Sequence, residues 1–256
     1  AVVPCAQKER KTPPEATEVG EPFPAVVTPP PTAHTSHPTP HTSQPTAPSD
    51  ALVLFDGRSL DQWESVDHPG SPAQWIVEEN TLKVNKAAGN IQTKKSFTDY
   101  QLHLEWRVPA GITGSGQGRG NSGFFLASTG KGDDGYELQI LDSYNNKTYV
   151  NGQAGSVYKQ NPPLVNACRP PGEWQSYDII WTAPRFNSNG SLLSPARITA
   201  FHNGVLIQNN TELAGPTQYI GKPAYREAHG ACPIKLQAHG DESEPLSFRN
   251  IWVREL

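Results

Sequence analysis

Glu105 and Arg107 stand two residues apart, as do Glu137 and Gln139, and Gln237 and His239. In an extended chain a spacing of two puts both side chains on one face, so each pair offers neighbouring polar groups in a common direction. Carboxylates, a guanidinium and an imidazole are the groups that proton transfer and oxyanion stabilisation require. No single one of these spacings is diagnostic. The patterns His-Glu-x-x-His and Gly-x-Ser-x-Gly and a Walker loop are absent, which removes the usual support for zinc-protease, serine-hydrolase and phosphate-loop chemistry. The run Gly114-Ser115-Gly116-Gln117-Gly118-Arg119-Gly120-Asn121 joins two predicted strands and opens no helix, so it reads as a flexible loop and not a phosphate cradle.

The elements that would position these groups are strands. Tyr100 to Val108 alternates strictly: Tyr, Leu, Leu, Trp and Val point one way, and Gln101, His103, Glu105 and Arg107 the other. The apolar side is core. The polar side is either a solvent face or the lining of a concave ligand face, and alternation alone does not separate the two. Tyr136 to Asp142 alternates in the same way, so three strands offer Glu105, Arg107, Glu137, Gln139, Gln237 and His239 to one possible shared face. Further strands are predicted at 52–55, 75–77, 81–84, 123–128, 174–181, 196–202, 205–208, 234–238 and 248–253. Asp56-Gly57, Glu79-Asn80 and Asn203-Gly204 occupy hairpin-turn positions, the last fitting a two-residue type I′ turn. Many short strands with few helical patterns predict an all-β sandwich or jelly roll.

Composition divides the chain near Asp50. Residues 1–50 hold 12 of the 25 prolines and only one aromatic, Phe23, too little apolar surface to offset chain entropy. Residues 51–256 hold all six tryptophans and all eight tyrosines and are predicted to form the single folded domain. The Pro/Thr-rich tail favours extended polyproline II, and its composition is also that of O-glycosylated stalks. Its His34, His37 and His41 read as solvated groups on a flexible arm, and any metal or cofactor requirement stays open. A net charge of −4, with no basic run longer than Lys94-Lys95, argues against nucleic acid as a partner. No apolar stretch approaches the length of a membrane span. The absence of methionine fits an N-terminus at Ala1 left by processing or cloning. In a secreted chain Cys168 and Cys232 would form a disulfide, with Cys5 free or paired to another molecule; in a cytoplasmic one they would be buried thiols. Sequons begin at Asn146, Asn189 and Asn209.

Blocks through nearly the whole domain resemble the 3-keto-disaccharide hydrolase family. They run from Leu54-Phe55-Asp56-Gly57 through Trp75-Ile76-Val77-Glu78, Leu104-Glu105-Trp106-Arg107 and Gly120-Asn121-Ser122-Gly123-Phe124-Phe125-Leu126. Gly135-Tyr136-Glu137-Leu138-Gln139-Ile140-Leu141-Asp142, Pro171-Gly172-Glu173-Trp174, His202-Asn203-Gly204-Val205 and Phe248-Arg249-Asn250-Ile251-Trp252 follow in the family's order. The resemblance implies a concanavalin-like jelly roll that cleaves glycosides already oxidised at C3. A C3 ketone acidifies the C2 proton, so a base can form an enolate that expels the C1 substituent, and water then adds to the enone. Glu105, Glu137 and His239 are the implied acids and bases, Arg107 the oxyanion group, and Asn121, Gln139, Asp142 and Gln237 the sugar-binding residues. Two departures stand out: Gln237-Ala238-His239-Gly240 lacks the family's Asp beside the histidine, and Ala127-Ser128 replaces its frequent Arg or Gly.

The expected function is therefore a secreted carbohydrate-active domain assembled into an oligomer or filament through residues 1–50. An arm gains a fixed position only against its own domain, a neighbouring subunit or a glycan, and head-to-tail contact builds filaments, which Cys5 could lock. The alternatives are a stand-alone secreted hydrolase with a flexible linker, and a non-catalytic structural or sugar-binding module.

Overall fold

The computed structural model describes residues 12–30 and 47–256. Its strands, in chain order, are β1 (Ala25–Val26), β2 (Leu52–Phe55), β3 (Trp63–Ser65), β4 (Ile76–Glu78), β5 (Thr81–Lys83) and β6 (Ile91–Phe97). There follow β7 (Tyr100–Arg107), β8 (Ser122–Ser128), β9 (Gly135–Ile140), β10 (Val165–Asn166), β11 (Gln175–Thr182) and β12 (Arg185–Phe186). The last are β13 (Leu192–Ser194), β14 (Arg197–His202), β15 (Val205–Glu212), β16 (Cys232–Leu236) and β17 (Ser247–Glu255). They form a β-sandwich of the concanavalin-like jelly-roll class. One sheet runs β15-β14-β11-β7-β17-β5-β4, with β2 also on β17, and the other runs β3-β6-β16-β8-β9. Among the described residues no helix is long and apolar enough to cross a membrane.

Alternation decides what lies between the sheets. From the eight-stranded sheet, Tyr100, Leu102, Leu104 and Trp106 of β7 and Tyr177, Ile179 and Trp181 of β11 point inward, each at most 1% exposed. Phe124 and Leu126 of β8, Tyr136, Leu138 and Ile140 of β9, and Ile234 and Leu236 of β16 meet them from the five-stranded sheet. Two phenols cross this layer: Tyr100 donates to Leu126 O (2.6 Å) and Tyr177 to Gln139 O (2.8 Å). Each satisfies a polar group that burial would otherwise penalise and fixes one sheet against the other. The turns follow their residues. Asn203 and Gly204 both have positive φ, as do Glu79 and Asn80, the conformation that a type I′ hairpin needs.

Several short or charged strands were not legible as such. The largest is β6, whose Lys94, Lys95 and Ser96 are exposed and interrupt the apolar alternation, yet which pairs with both β3 and β16. The predicted disulfide does not form, for Cys168 and Cys232 are both free and buried. Cys232 opens β16 opposite Phe97 of β6, whereas Cys168 lies just after β10 with its amide on Asn166 Oδ1. Asn146 is also unsuited to glycosylation. It is 9% exposed, and its amide bonds Gly116 N (2.7 Å), Gly116 O (3.0 Å) and Asp142 O (2.7 Å). Asn189 and Asn209 are exposed.

The tail is not wholly apart from the domain. Residues 12–30 bury no side chain of their own but lie along its surface, with a 3-10 turn at Pro14–Thr17 and β1 parallel to β10. Arg169 closes the far end by donating to Pro30 O at 2.8 Å. Cys5, His34, His37 and His41 lie outside the described residues.

Lys235 of β16 is wholly buried, and its ammonium donates to Gly130 O (3.3 Å), Gly132 O (2.8 Å) and Asp134 O (2.8 Å), so it closes the β8–β9 loop from beneath. Lys235→Met would strand three carbonyls, and we expect it to lower stability by about 3 kcal/mol, read as a fall in the guanidinium midpoint.

Candidate active site

Because Tyr136, Leu138 and Ile140 fill the interior, Glu137 and Gln139 must emerge on the outer face of the five-stranded sheet. β16 does the same: Ile234 and Leu236 point inward, and Gln237 and His239, just beyond the strand, emerge beside β8. Asn121 stands at the entry to β8. These five residues line one cleft of about 260 Å³, walled by Asp133 and Asp134 on one side and by Tyr158, Thr217, Gln218 and Tyr219 on the other. A cleft of this size accepts a sugar ring.

Glu137 is 5% exposed. Burial and the nearby Asp133 charge push its carboxyl up to about 8, against the opposing pull of Lys235. It is therefore protonated at neutral pH, the state a general acid needs. Its space depends on Gly123, where an added Cβ would lie 2.6 Å from Glu137 Oε1. The Gln139 amide lies 3.0 Å from the same oxygen, and with its nitrogen turned inward it donates to Glu137 and to Ser122 O. Turned the other way, it can accept from the protonated acid.

His239 is held by a carboxylate outside the predicted set. Asp241 Oδ2 lies 2.8 Å from His239 Nδ1, and Asp241 Oδ1 accepts from Ser243 N at 2.8 Å and lies 3.3 Å from Lys86 Nζ. Burial alone would raise the pKa of Asp241, but its bonds to His239 and Ser243 and the Lys86 charge hold it down at about 2. The ionised Asp241 favours the proton on Nδ1, which Asp241 N also approaches at 3.2 Å, and in that tautomer Nε2 is the acceptor that faces Asn121 Nδ2 at 3.4 Å. Gln237 Oε1 is buried without a hydrogen-bond partner among the described residues, so this amide is available to a ligand.

Three expected site residues lie elsewhere. Glu105 and Arg107 belong to β7 of the other sheet, and with Leu104 and Trp106 in the core their side chains face the opposite outer surface. There Glu105 bonds Arg249 Nε (2.6 Å) and Asn250 Nδ2 (3.0 Å). Burial opposes its ionisation, but the His103 and Arg249 charges and the Asn250 amide outweigh it and hold the carboxyl at about 2. Arg107 stacks on Trp174, 4.5 Å from the ring centroid. Asp142 lies beneath the site: its Oδ1 accepts from Tyr144 N at 3.1 Å and its Oδ2 sits 2.8 Å from Arg119 Nε. The shared face expected from three strands is thus two faces on opposite sides of the sandwich. Asp241 was missed, although a carboxylate two residues past a histidine is a local signal that could have been read.

A β-sandwich with a sugar-sized cleft, a protonated carboxylic acid and a carboxylate-held imidazole defines a class of carbohydrate-active domain. Residues 50–254 match the family model of the 3-keto-alpha-glucoside-1,2-lyase-like domain, and the chain belongs to that family. It is 27% identical over 157 residues to a 3-keto-disaccharide hydrolase of Bacteroides thetaiotaomicron, covering 50% of this chain and 51% of that one. The chain thus spans about half the length of that curated relative. It is also similar to a crystal structure of a candidate glycosyl hydrolase from Parabacteroides distasonis, with 52% identity, a TM-score of 0.78, and coverage of 94% and 96% of the two chains. A second such structure from the same organism, 19% identical with a TM-score of 0.58 and covering 81% of this chain and 94% of that one, shares the fold.

A carboxyl at about 8 in the folded chain and near the ordinary 4.5 in the unfolded one binds more protons when folded across that interval. Its contribution to stability is full below about pH 4.5 and is lost as pH rises through about 8, at up to about 1.4 kcal/mol per pH unit. In Glu137→Gln we expect this decline to disappear, checked by denaturation midpoints at pH 5, 6.5 and 8 against the wild type.

Proposed function

We propose that this domain cleaves 3-keto glycosides by elimination followed by hydration. The observation that carries the reading is the meeting, in one cleft, of a His239 held by Asp241 and a Glu137 kept protonated by burial. Membership of the family and the similarity to a 3-keto-disaccharide hydrolase support the choice of substrate.

The imidazole Nε2 removes the C2 proton, and the C2–H electron pair moves into an enolate with the C3 oxygen. The Gln237 amide, whose side chain has no hydrogen-bond partner among the described residues, is suited to that oxygen through its NH2, and no Lys or Arg lines the cleft. The enolate expels the C1 substituent, whose oxygen takes the Glu137 proton. Water then adds at C1 of the enone, giving its proton to the Glu137 carboxylate, while the imidazolium returns a proton to C2, which restores both groups.

Two further readings rest on the sequence. Secretion, with assembly of copies through the N-terminal tail, is supported by the Pro/Thr composition and by Cys5. The apolar Phe23 and Val26, 47% and 79% exposed on the docked part of the tail, add to it. Sedimentation of the full chain with and without reductant tests this, and a monomer at every concentration removes it. A sugar-binding module without turnover is the remaining alternative.

Incubated in D2O with a 3-keto disaccharide, the protein should release 3-keto glucose carrying deuterium at C2, seen by proton NMR. Release without C2 exchange would mean direct hydrolysis, and no release by the folded full-length protein would leave binding alone. Asp241→Asn should lower kcat about 100-fold with little change in KM, because it frees the imidazole to take the wrong tautomer.

A further inference from the structure

Part of the docked tail, between Pro14 and Val19, is held by Val150, Asn151 and Lys159 of the domain. Val150 N donates to Val19 O (2.7 Å), Val19 N to Asn151 Oδ1 (3.0 Å), and Asn151 Nδ2 to Thr17 O (3.0 Å). Asn151 is 1% exposed and spends both ends of its amide on the tail. Beside it, Lys159 is 6% exposed and has a positive φ of 57°, which few side chains adopt without a reason. Its ammonium donates to Pro14 O (2.8 Å) and to Tyr219 O (3.0 Å) and lies 3.6 Å from Glu18 Oε1. It also sits 4.5 Å from the centre of the Tyr219 ring.

Tyr219 lines the cleft and is 60% exposed at its mouth. Among the described residues, the Lys159 bond is the single hydrogen bond that ties the stretch 218–224 to a different part of the chain. Tyr158, next to Lys159, lines the same wall and is fixed to Tyr149 by a 2.6 Å bond between their hydroxyls. One buried ammonium therefore joins three pieces: the tail, the Tyr149–Tyr158 wall and the Tyr219 loop. Lys159 itself does not line the cleft.

We propose that residues 13–19 of the tail belong to the substrate-binding apparatus, with Lys159 as the positioning residue that braces Tyr219 against them. Tyr219 then offers the ring face that Lys159 leaves free as a platform for the outer part of the glycoside, beyond the oxidised sugar. The role given to the cleft rests on the function proposed above; the brace itself does not.

In the full chain, Lys159→Met should raise KM for a 3-keto disaccharide about tenfold while kcat stays within about twofold, since the acid and base are untouched. A purely structural role would instead lower the active fraction, and so kcat, without moving KM. Tyr219→Ala, at an exposed site, should raise KM similarly, and adding Lys159→Met to it should raise KM little further. Should Lys159→Met fold poorly, Glu18→Gln weakens the same contact from the surface and should raise KM about two- to threefold. Unchanged KM in the variants that fold, or full additivity of the pair, overturns the proposal. Hydrogen exchange separates it from the proposed reaction: even if the wild type cleaves nothing, the Thr217 amide, which donates to Gly135 O at the root of the loop, should exchange about tenfold faster in Lys159→Met or, less strongly, in Glu18→Gln. Unchanged exchange there sinks the brace, whatever the chemistry of the cleft.

Discussion

Glu137 lies between Tyr136 and Leu138, and those two side chains fill the interior, so the carboxyl has no choice of side. The same holds at Gln139, between Leu138 and Ile140, and at Gln237, after Leu236. Core and cleft are two faces of one backbone. A register slip of one residue in β9 would carry the carboxyl into the interior and a leucine into the cleft, at a cost that the rest of the sheet could not offset. The two phenols that cross the interior hold the arrangement from behind, one of them ending on the carbonyl of Gln139 itself.

The site's electrostatics follow from that placement. Glu105 and Glu137 begin as the same functional group, each 5% exposed. Glu105 has an arginine, an asparagine and a histidine around it and is held at about 2, whereas Glu137 has Asp133 nearby and is pushed up to about 8. The Lys235 charge pulls the Glu137 carboxyl the other way, but its ammonium is committed to three carbonyls of the β8–β9 loop. Burial without a committed partner makes an acid, and burial with partners makes a strut.

This contrast also separates what could be read in the sequence from what could not. The inward face of β7 and β9 and the Asn203-Gly204 turn were legible, because periodicity and turn chemistry are local. Whether β7 and β9 lie in the same sheet is not local. Glu105 and Glu137 carry the same alternation and end on opposite sides of the sandwich, a distinction that only strand order supplies. The same limit hid the unbridged cysteines, which belong to different parts of the fold. It also hid the docking of the tail, which draws on the polar side chains Asn151, Lys159 and Arg169, about 140 residues downstream.

The alanine at position 238, where the family resemblance led to the expectation of an aspartate, acquires a physical reading from the same alternation. Gln237 and His239 line the cleft, so the residue between them turns the other way, and Ala238 packs against the core while its amide donates to Asn90 Oδ1 at 2.7 Å. A carboxylate there would leave its backbone pointed away from the cleft and would have to be hydrated or paired at the core's edge. The carboxylate that His239 needs comes instead from two residues further on, where the chain turns and Ser243 and Lys86 hold Asp241 ionised. An imidazole needs a partner on Nδ1, and its position in the chain is immaterial as long as the geometry is met. With alanine at 238, the carboxylate contact at His239 Nδ1 is therefore still made, by Asp241.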